Sequence, residues 1–255
     1  MNEKLSELYD FIGVLLDVGE KLLLCGAEVY RVEETLSMMI KAYGAEKQSV
    51  FVITSNIIIS IDMPGGIHAT DTRRVLKAGS TNYSCLEDLN SLSRSYCKNT
   101  CPVSELREKV DACPVQVSPV YTVIGSFIAA GAAAVFFGGS YLDGLIAAFL
   151  SLIVCYFQIS ASCAPKNKFR LNFASSLTMG IAAVILTKVI PYTTADNVII
   201  GNITLLIPGF AMTGSIRDII VGDTISGSMR FIETLIWSAG LAMGIMLSLW
   251  GGTLW

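Results

Sequence analysis

The segment GNITLLIPGFAMTGSIRDIIVGDTISGSMRFIE, residues 201–233, gathers groups that can bind carboxylates and carry protons. Asn202, Thr213, Arg217, Asp218, Asp223, Arg230 and Glu233 surround a Pro208-Gly209 pair. An arginine fork matches both oxygens of a carboxylate, so Arg217 or Arg230 suits an anionic substrate group. Asp223 and Glu233 are candidates for proton coupling. Glu233 stands three residues after Arg230, a turn inside an expected helix, where the two can neutralise each other. A carboxylate at membrane depth is costly and is a functional candidate for that reason. Pro208 removes a backbone donor and clashes with the preceding turn, so a helix must kink or break there. In lipid a break survives only where protein or a wet cavity satisfies the freed carbonyls, and transporters place substrate sites at such breaks. The plainer readings are a tolerated proline kink and, for Arg217-Asp218, a membrane anchor with its counter-ion.

A second polar group, Glu28, Arg31, Glu33 and Glu34, lies in GAEVYRVEETL. It would be the polar cluster of an enzyme, if the chain were one, but helical spacing also puts it opposite Val32, Leu36 and Met39 as a solvated face. His68 is the single histidine and sits in a strand-like stretch, which suits a surface or structural role. Cys97, Cys101 and Cys113, with Cys85 upstream, have no histidine near enough to complete a zinc pattern. There is no phosphate-binding glycine loop. These readings give no enzyme, no metal and no cofactor. The net charge of −3 offers no footprint for nucleic acid. The acid-rich start of the chain is not that of a signal peptide, and the seven cysteines suit reduced thiols.

What must position these groups follows from the charge pattern. Residues 1–117 hold 28 of the 39 Asp, Glu, Lys and Arg residues, and residues 118–255 hold 11. The first part is expected to be a soluble domain and the second to be dissolved in lipid. Leu5, Leu8, Ile12, Leu15, Leu16, Leu22 and Leu23 predict an amphipathic helix broken at Gly26, and Val29 to Tyr43 a second ended by Gly44. SVFVITS and NIIISIDM predict strands joined by a turn at Ser55-Asn56. Pro64-Gly65-Gly66 predicts another turn, leading to a third strand over 67–76. Two short helices follow, around Leu86 to Leu92 and Val103 to Val110. The order is ααβββαα, a small α+β domain.

Five apolar stretches complete the chain: Val120–Phe137, Leu142–Ser162, Leu171–Ile190, Val198–Thr213 and Phe231–Trp250. Small residues from Gly125 to Ala134 predict close packing of the first on its neighbours. The expected fold is a polytopic α-helical membrane protein of about five transmembrane helices behind an N-terminal cytoplasmic domain. Lys166, Lys168, Arg170, Arg217 and Arg230 mark cytoplasmic loops, which places the C-terminus outside. Tyr141, Tyr192, Trp250 and Trp255 then lie at the outer interface, and Lys188 reaches headgroups there.

The chain resembles the threonine/serine exporter (ThrE-like) family, most closely its short, split-subunit form. Gly26 to Leu36 carries one match. The other is PG-x-x-x-T-x-x-x-RD-x-x-x-GD-x-x-x-G-x-x-R-x-x-E, which fits Pro208, Gly209, Thr213, Arg217, Asp218, Gly222, Asp223, Gly227, Arg230 and Glu233. The resemblance implies export of small hydrophilic metabolites across the cell membrane: threonine and serine, or succinate-type dicarboxylates in one branch. It also implies a separate small membrane subunit that supplies the second hydrophobic half of the long members. Alternatives are a membrane-anchored enzyme and a sensor whose soluble domain carries the activity.

Overall fold

The computed structural model describes residues 2–75, 82–115, 117–162 and 167–253. Two compact units emerge: Met1–Gln116 with Phe210–Arg230, and Val117–Gly209 with Phe231–Trp255.

In the first unit, α1 (Asn2–Leu24) and α2 (Val29–Tyr43) lead into strands β1 (Lys47–Ile53), β2 (Asn56–Met63) and β3 (Ile67–Arg74). Helices α3 (Tyr83–Lys98) and α4 (Val103–Asp111) follow, giving the expected order ααβββαα. The α1 stripe Leu8, Ile12, Leu15, Leu16 and Leu22 is fully buried, joined by Phe11, which stacks on Tyr43. Gly26 takes a positive φ of 91°, and Ala27 N–H donates back to the Leu22 carbonyl, so the chain can reverse into α2.

The sheet is an antiparallel meander in the order β1-β2-β3. Its first turn is Thr54-Ser55, with Ile53 opposite Asn56, one residue earlier than the expected Ser55-Asn56. That register keeps Asn56 paired with both Ile53 and Arg74 and puts Ile57, Ile59 and Ile61 together on the buried face. Helices α1 and α2 pack against the strands, while α4 packs on α1 and α3 on α2. β3 ends at Arg74, short of the expected Val75, whose N–H donates to the Ser55 carbonyl; Leu76 lies outside the described residues. The unit is completed by α9 (Gly209–Val221) and the first turns of α10 (Thr224–Thr253).

The second unit holds α5 (Pro119–Phe136), α6 (Tyr141–Ser162), α7 (Lys168–Val189), α8 (Ala195–Leu206) and the rest of α10. Helices α5, α6, α7 and α10 are long and apolar enough to cross a membrane. The pair α8 and α9, broken at Pro208 as expected, makes a fifth span if counted as one. Small residues set the packing. A methyl group on Gly131 would stand 3.0 Å from the Gly144 carbonyl oxygen, and one on Gly201 2.6 Å from that of Ala130. Ala130 and Ala134 are fully buried, whereas Gly125, Ala129 and Ala132, expected to pack closely as well, are exposed, because only one side of α5 meets its neighbours.

On α10, Gly240, Gly244, Ser248 and Gly252 form a stripe against α7. Methyl groups on Gly240 and Gly244 would meet the Phe169 and Phe173 carbonyl oxygens at 2.8 and 2.6 Å. At the start of α6, Ser140 and Asp143 cap one another, and Asp143 also accepts from Thr194 N–H at 2.8 Å. Lys188, expected to reach headgroups, donates to the Gly252 carbonyl at 2.9 Å; that acceptor at the end of α10 is within its reach. Lys166 and Trp255 lie outside the described residues.

Candidate functional site

In the first unit, α9 ends at Val221, and Gly222, with a positive φ of 112°, lets the chain turn back within two residues. Asp223 N–H donates to the Asp218 carbonyl and Gly227 N–H to that of Asp223, both at 2.9 Å. The helices then meet at Gly227. A methyl group there would lie 2.8 Å from both Ser215 O and Ile219 N, so only glycine permits the approach. This hairpin sets the direction of two arginine–carboxylate pairs.

The inner pair is Asp218 and Arg230. The Asp218 side chain is 0% exposed and that of Arg230 18%, with Arg230 Nη1 3.3 Å from Asp218 Oδ2. The two attract as charges without hydrogen-bond alignment, and neither Asp218 oxygen accepts a hydrogen bond among the described residues. Arg230 therefore turns away from its expected partner Glu233. The reason is that α10 begins at Thr224, well before the hydrophobic run at Phe231, which makes Arg230 part of the hairpin and not of a helix end.

The outer pair is Arg217 and Glu28. Arg217 Nη1 lies 2.8 Å from Glu28 Oε1, and Nη2 donates to the Tyr30 hydroxyl at 3.3 Å. The Arg217 side chain is 58% exposed. An exposed pair of this kind contributes about 0–1 kcal/mol. Removing one partner of a buried pair costs about 3–5 kcal/mol. Asp218–Arg230 thus fastens the hairpin, and Arg217–Glu28 is the exchangeable contact.

Glu33, on α2, accepts the Val52 N–H of edge strand β1 at 2.9 Å. Burial holds its carboxyl above the usual range; the Asp223 carboxylate pushes the same way, and the Val52 N–H opposes them. One Asp223 oxygen, Oδ2, is buried without a hydrogen-bond partner among the described residues. The site so formed sets four carboxylates, Glu28, Glu33, Asp218 and Asp223, around two guanidiniums, Arg217 and Arg230.

Other expected residues fall elsewhere. Arg31 pairs with Glu34 at 3.2 Å on the exposed face of α2, as a solvated face requires. Gly26 serves the α1–α2 turn. Thr213 is exposed, and its hydroxyl donates to the Phe210 carbonyl. Pro208 and Gly209 form the break itself. His68 is exposed on β3, within hydrogen-bond reach of Asp62 and Thr70. Among the described residues no group of three His, Cys, Asp or Glu could hold a metal ion.

Two expected residues lie in the second unit. Asn202 is fully buried; its Nδ2 donates to the Ala147 and Val198 carbonyls at 3.1 Å, and its Oδ1 accepts no hydrogen bond among the described residues. Glu233 is exposed on α10, close enough to the Lys168 ammonium to interact electrostatically. Lys168 Nζ stands 4.1 Å above the ring of Trp237, one turn further along α10. Sequence reasoning missed Tyr30 and the Lys168 contact; Tyr30 was signalled only by its place inside GAEVYRVEETL.

Residues 13–250 match the family model described as "Putative threonine/serine exporter". The chain is 24% identical over 263 residues to the "Threonine/serine exporter" of Corynebacterium glutamicum, covering 96% of this chain and 52% of that protein. It is 24% identical over 254 residues to the "Probable threonine/serine exporter" of Mycobacterium tuberculosis (strain ATCC 25618 / H37Rv), covering 95% and 46%. The chain thus spans about half the length of the curated relatives it matches. No solved structure matches it significantly. The apolar helices and the match along nearly the whole chain agree: this is a multi-pass membrane protein, and it belongs to the threonine/serine exporter family.

Proposed function

We propose that the chain is a subunit of a secondary exporter for small hydrophilic metabolites, threonine and serine first and a dicarboxylate such as succinate second. The observation that carries this reading is the meeting of the two sequence motifs at one polar site. Glu28 and Glu33 from the first face Arg217, Asp218, Asp223 and Arg230 from the second. Arg217 or Arg230 takes a substrate carboxylate. Asp223 and Glu233 are the coupling candidates, the Pro208-Gly209 break opens the path, and Asn202 and Thr213 are further polar candidates for contact with substrate.

Residues 1–117 form the cytoplasmic domain in this reading and residues 118–255 the membrane domain, with the C-terminus outside. Basic residues support the orientation: Lys168 and Arg170 start α7, whereas residues 138–141 and 191–197 carry none. A second small membrane subunit completes the transporter. Glu233 supports it, because it shares an exposed face of α10 with Ile232, Leu235 and Ile236, and a carboxylate facing lipid is costly. A membrane-bound enzyme or sensor is less well supported. The α2 carboxylates that would serve it are engaged by Arg217 and the Val52 N–H.

The test is efflux from proteoliposomes preloaded with L-threonine, L-serine or succinate, with the chain alone and co-purified with a small membrane protein of four or five spans. Flux of at least one compound from the pair is expected. No flux of any of the three would sink the exporter reading, and full flux from the chain alone would remove the second subunit.

A further inference from the structure

We propose that Arg217, and not Arg230, takes the substrate's carboxylate, and that Glu28 is an internal stand-in for that carboxylate which the substrate displaces. The inference rests on the exporter reading and names the chemistry of its site.

The two arginines differ in what their release would leave behind. Freeing Arg230 would strand Asp218, a wholly buried carboxylate whose oxygens accept no hydrogen bond among the described residues. Freeing Arg217 strands nothing comparable. Its partner Glu28 keeps a 23% exposed side chain and can turn to water. The Glu28 side chain does not cap α2 either, so its departure leaves the helix start as it was.

The occupants of Arg217 also resemble the proposed cargo. Nη1 meets a carboxylate, that of Glu28, and Nη2 meets a hydroxyl, that of Tyr30. A hydroxy amino acid carries both groups on one small molecule, and a dicarboxylate carries the first twice. With more than half of its side chain exposed, Arg217 can receive such a ligand from the open side without any helix moving. The fork geometry favours a carboxylate that offers both oxygens over the single Glu28 oxygen now engaged. A ligand that exchanges with Glu28 also releases the ion pair between the start of α2 and α9 within the first unit.

The experiment is calorimetric titration of the purified full chain in lipid nanodiscs with L-threonine, succinate and L-threoninamide, which lacks the carboxylate. Glu28→Gln should tighten L-threonine and succinate by about two- to fivefold, the share that an exposed ion pair withholds. Arg217→Met should weaken both at least about tenfold, as loss of a charge-assisted bidentate contact does. Arg217→Lys should fall between, since the charge stays and the fork is lost. The Glu28→Gln gain should vanish on the Arg217→Met background, and L-threoninamide should respond to none of these changes. Thermal unfolding of each variant identifies any that fails to fold, in which case Arg217→Lys carries the comparison.

Unchanged or weaker affinity in Glu28→Gln, normal affinity in Arg217→Met, or no binding of either carboxylate to wild type and Glu28→Gln would overturn the proposal. Carboxylates that bind through Arg217 while the reconstituted pair moves none of them would support this site and sink the exporter reading instead.

Discussion

Asp218 and Arg230 face each other across the α9–α10 turn, Oδ2 to Nη1 at 3.3 Å, with the carboxylate wholly shielded from solvent. Losing only the cation leaves a buried charge uncompensated. Arg230→Met should therefore destabilise the chain by about 3–5 kcal/mol, whereas Asp218→Asn with Arg230→Met should recover most of that. Thermal unfolding of the purified protein in detergent reads both. If the double variant is as unstable as the single one, the pair is not what fastens the hairpin.

The same hairpin depends on Gly227. An added methyl group would lie 2.6 Å from Ile219 Cγ1 and 2.8 Å from the backbone at Ser215 and Ile219. Backbone cannot yield as a flexible side chain does, so Gly227→Ala should cost about 1–3 kcal/mol. Gly209→Ala is the control. A methyl group there meets nothing within 4 Å and the residue's φ is not in the left-handed range. It should leave stability within about 0.5 kcal/mol of wild type. Equal losses at the two glycines would show that packing does not explain Gly227.

Glu33 predicts a pH effect on stability. Its carboxyl is held above the ordinary value of 4.5, chiefly by burial, so the folded state keeps this proton where the unfolded state has lost it. Stability then falls as pH rises through that window. The contribution is fully present below 4.5 and lost above the raised folded value. Glu33→Gln still accepts the Val52 N–H but does not ionise. The variant should gain on wild type between about pH 4 and pH 7. Melting temperatures at the two pH values measure this, and a gap that stays constant or closes would refute it.

The helices and strands were legible because burial leaves a period. The α1 stripe from Leu8 to Leu22 and the alternation of Ile57, Ile59 and Ile61 both lie in the core. Pro208 marked the break for a local steric reason. What could not be read was the direction of side chains whose partners are far along the chain. Arg230 has a nearer carboxylate in sequence at Glu233, but the turn at Gly222-Asp223 brings Asp218 back to it instead. Hydropathy showed where lipid-compatible residues begin, at Phe231, and not where the helix begins, at Thr224. The Arg217–Glu28 contact joins residues far apart in the chain, one in the first tenth or so and one in the last fifth, and no spacing rule reaches that far.

The proposed orientation can be checked by thiol labelling. Thr194 and Asn167 are both exposed, at opposite ends of α7's flanking loops. A cysteine introduced at Thr194 should react with an impermeant maleimide in intact cells, and one at Asn167 only after lysis. Reaction at Asn167 in intact cells would invert the topology.

Glu233 carries the last prediction. With Arg230 committed to Asp218, a cation among the described residues that acts on Glu233 is Lys168, at the start of α7. Two roles then make different demands on the carboxylate. As a counter-ion for Lys168, its loss should be repaired when Lys168 is neutralised too, because removing both members of a pair is often nearly neutral. As the coupling group, its loss cannot be repaired that way, since the titrating oxygen itself is gone. The exposed position beside Ile232, Leu235 and Ile236 favours the second role, because a carboxylate that only balanced Lys168 would have no reason to face outward. Glu233→Gln should therefore reduce efflux at least about tenfold at matched membrane levels, the scale expected when an essential proton carrier is removed. It should also flatten the pH dependence of the residual flux. Lys168→Met should retain most transport, and Glu233→Gln with Lys168→Met should stay inactive. The measurement is L-threonine efflux against pH for the three variants in the reconstituted pair. Recovery of flux in the double variant, or an unchanged pH profile in Glu233→Gln, would leave Glu233 as the neutralising partner of Lys168 and move the coupling role to Asp223.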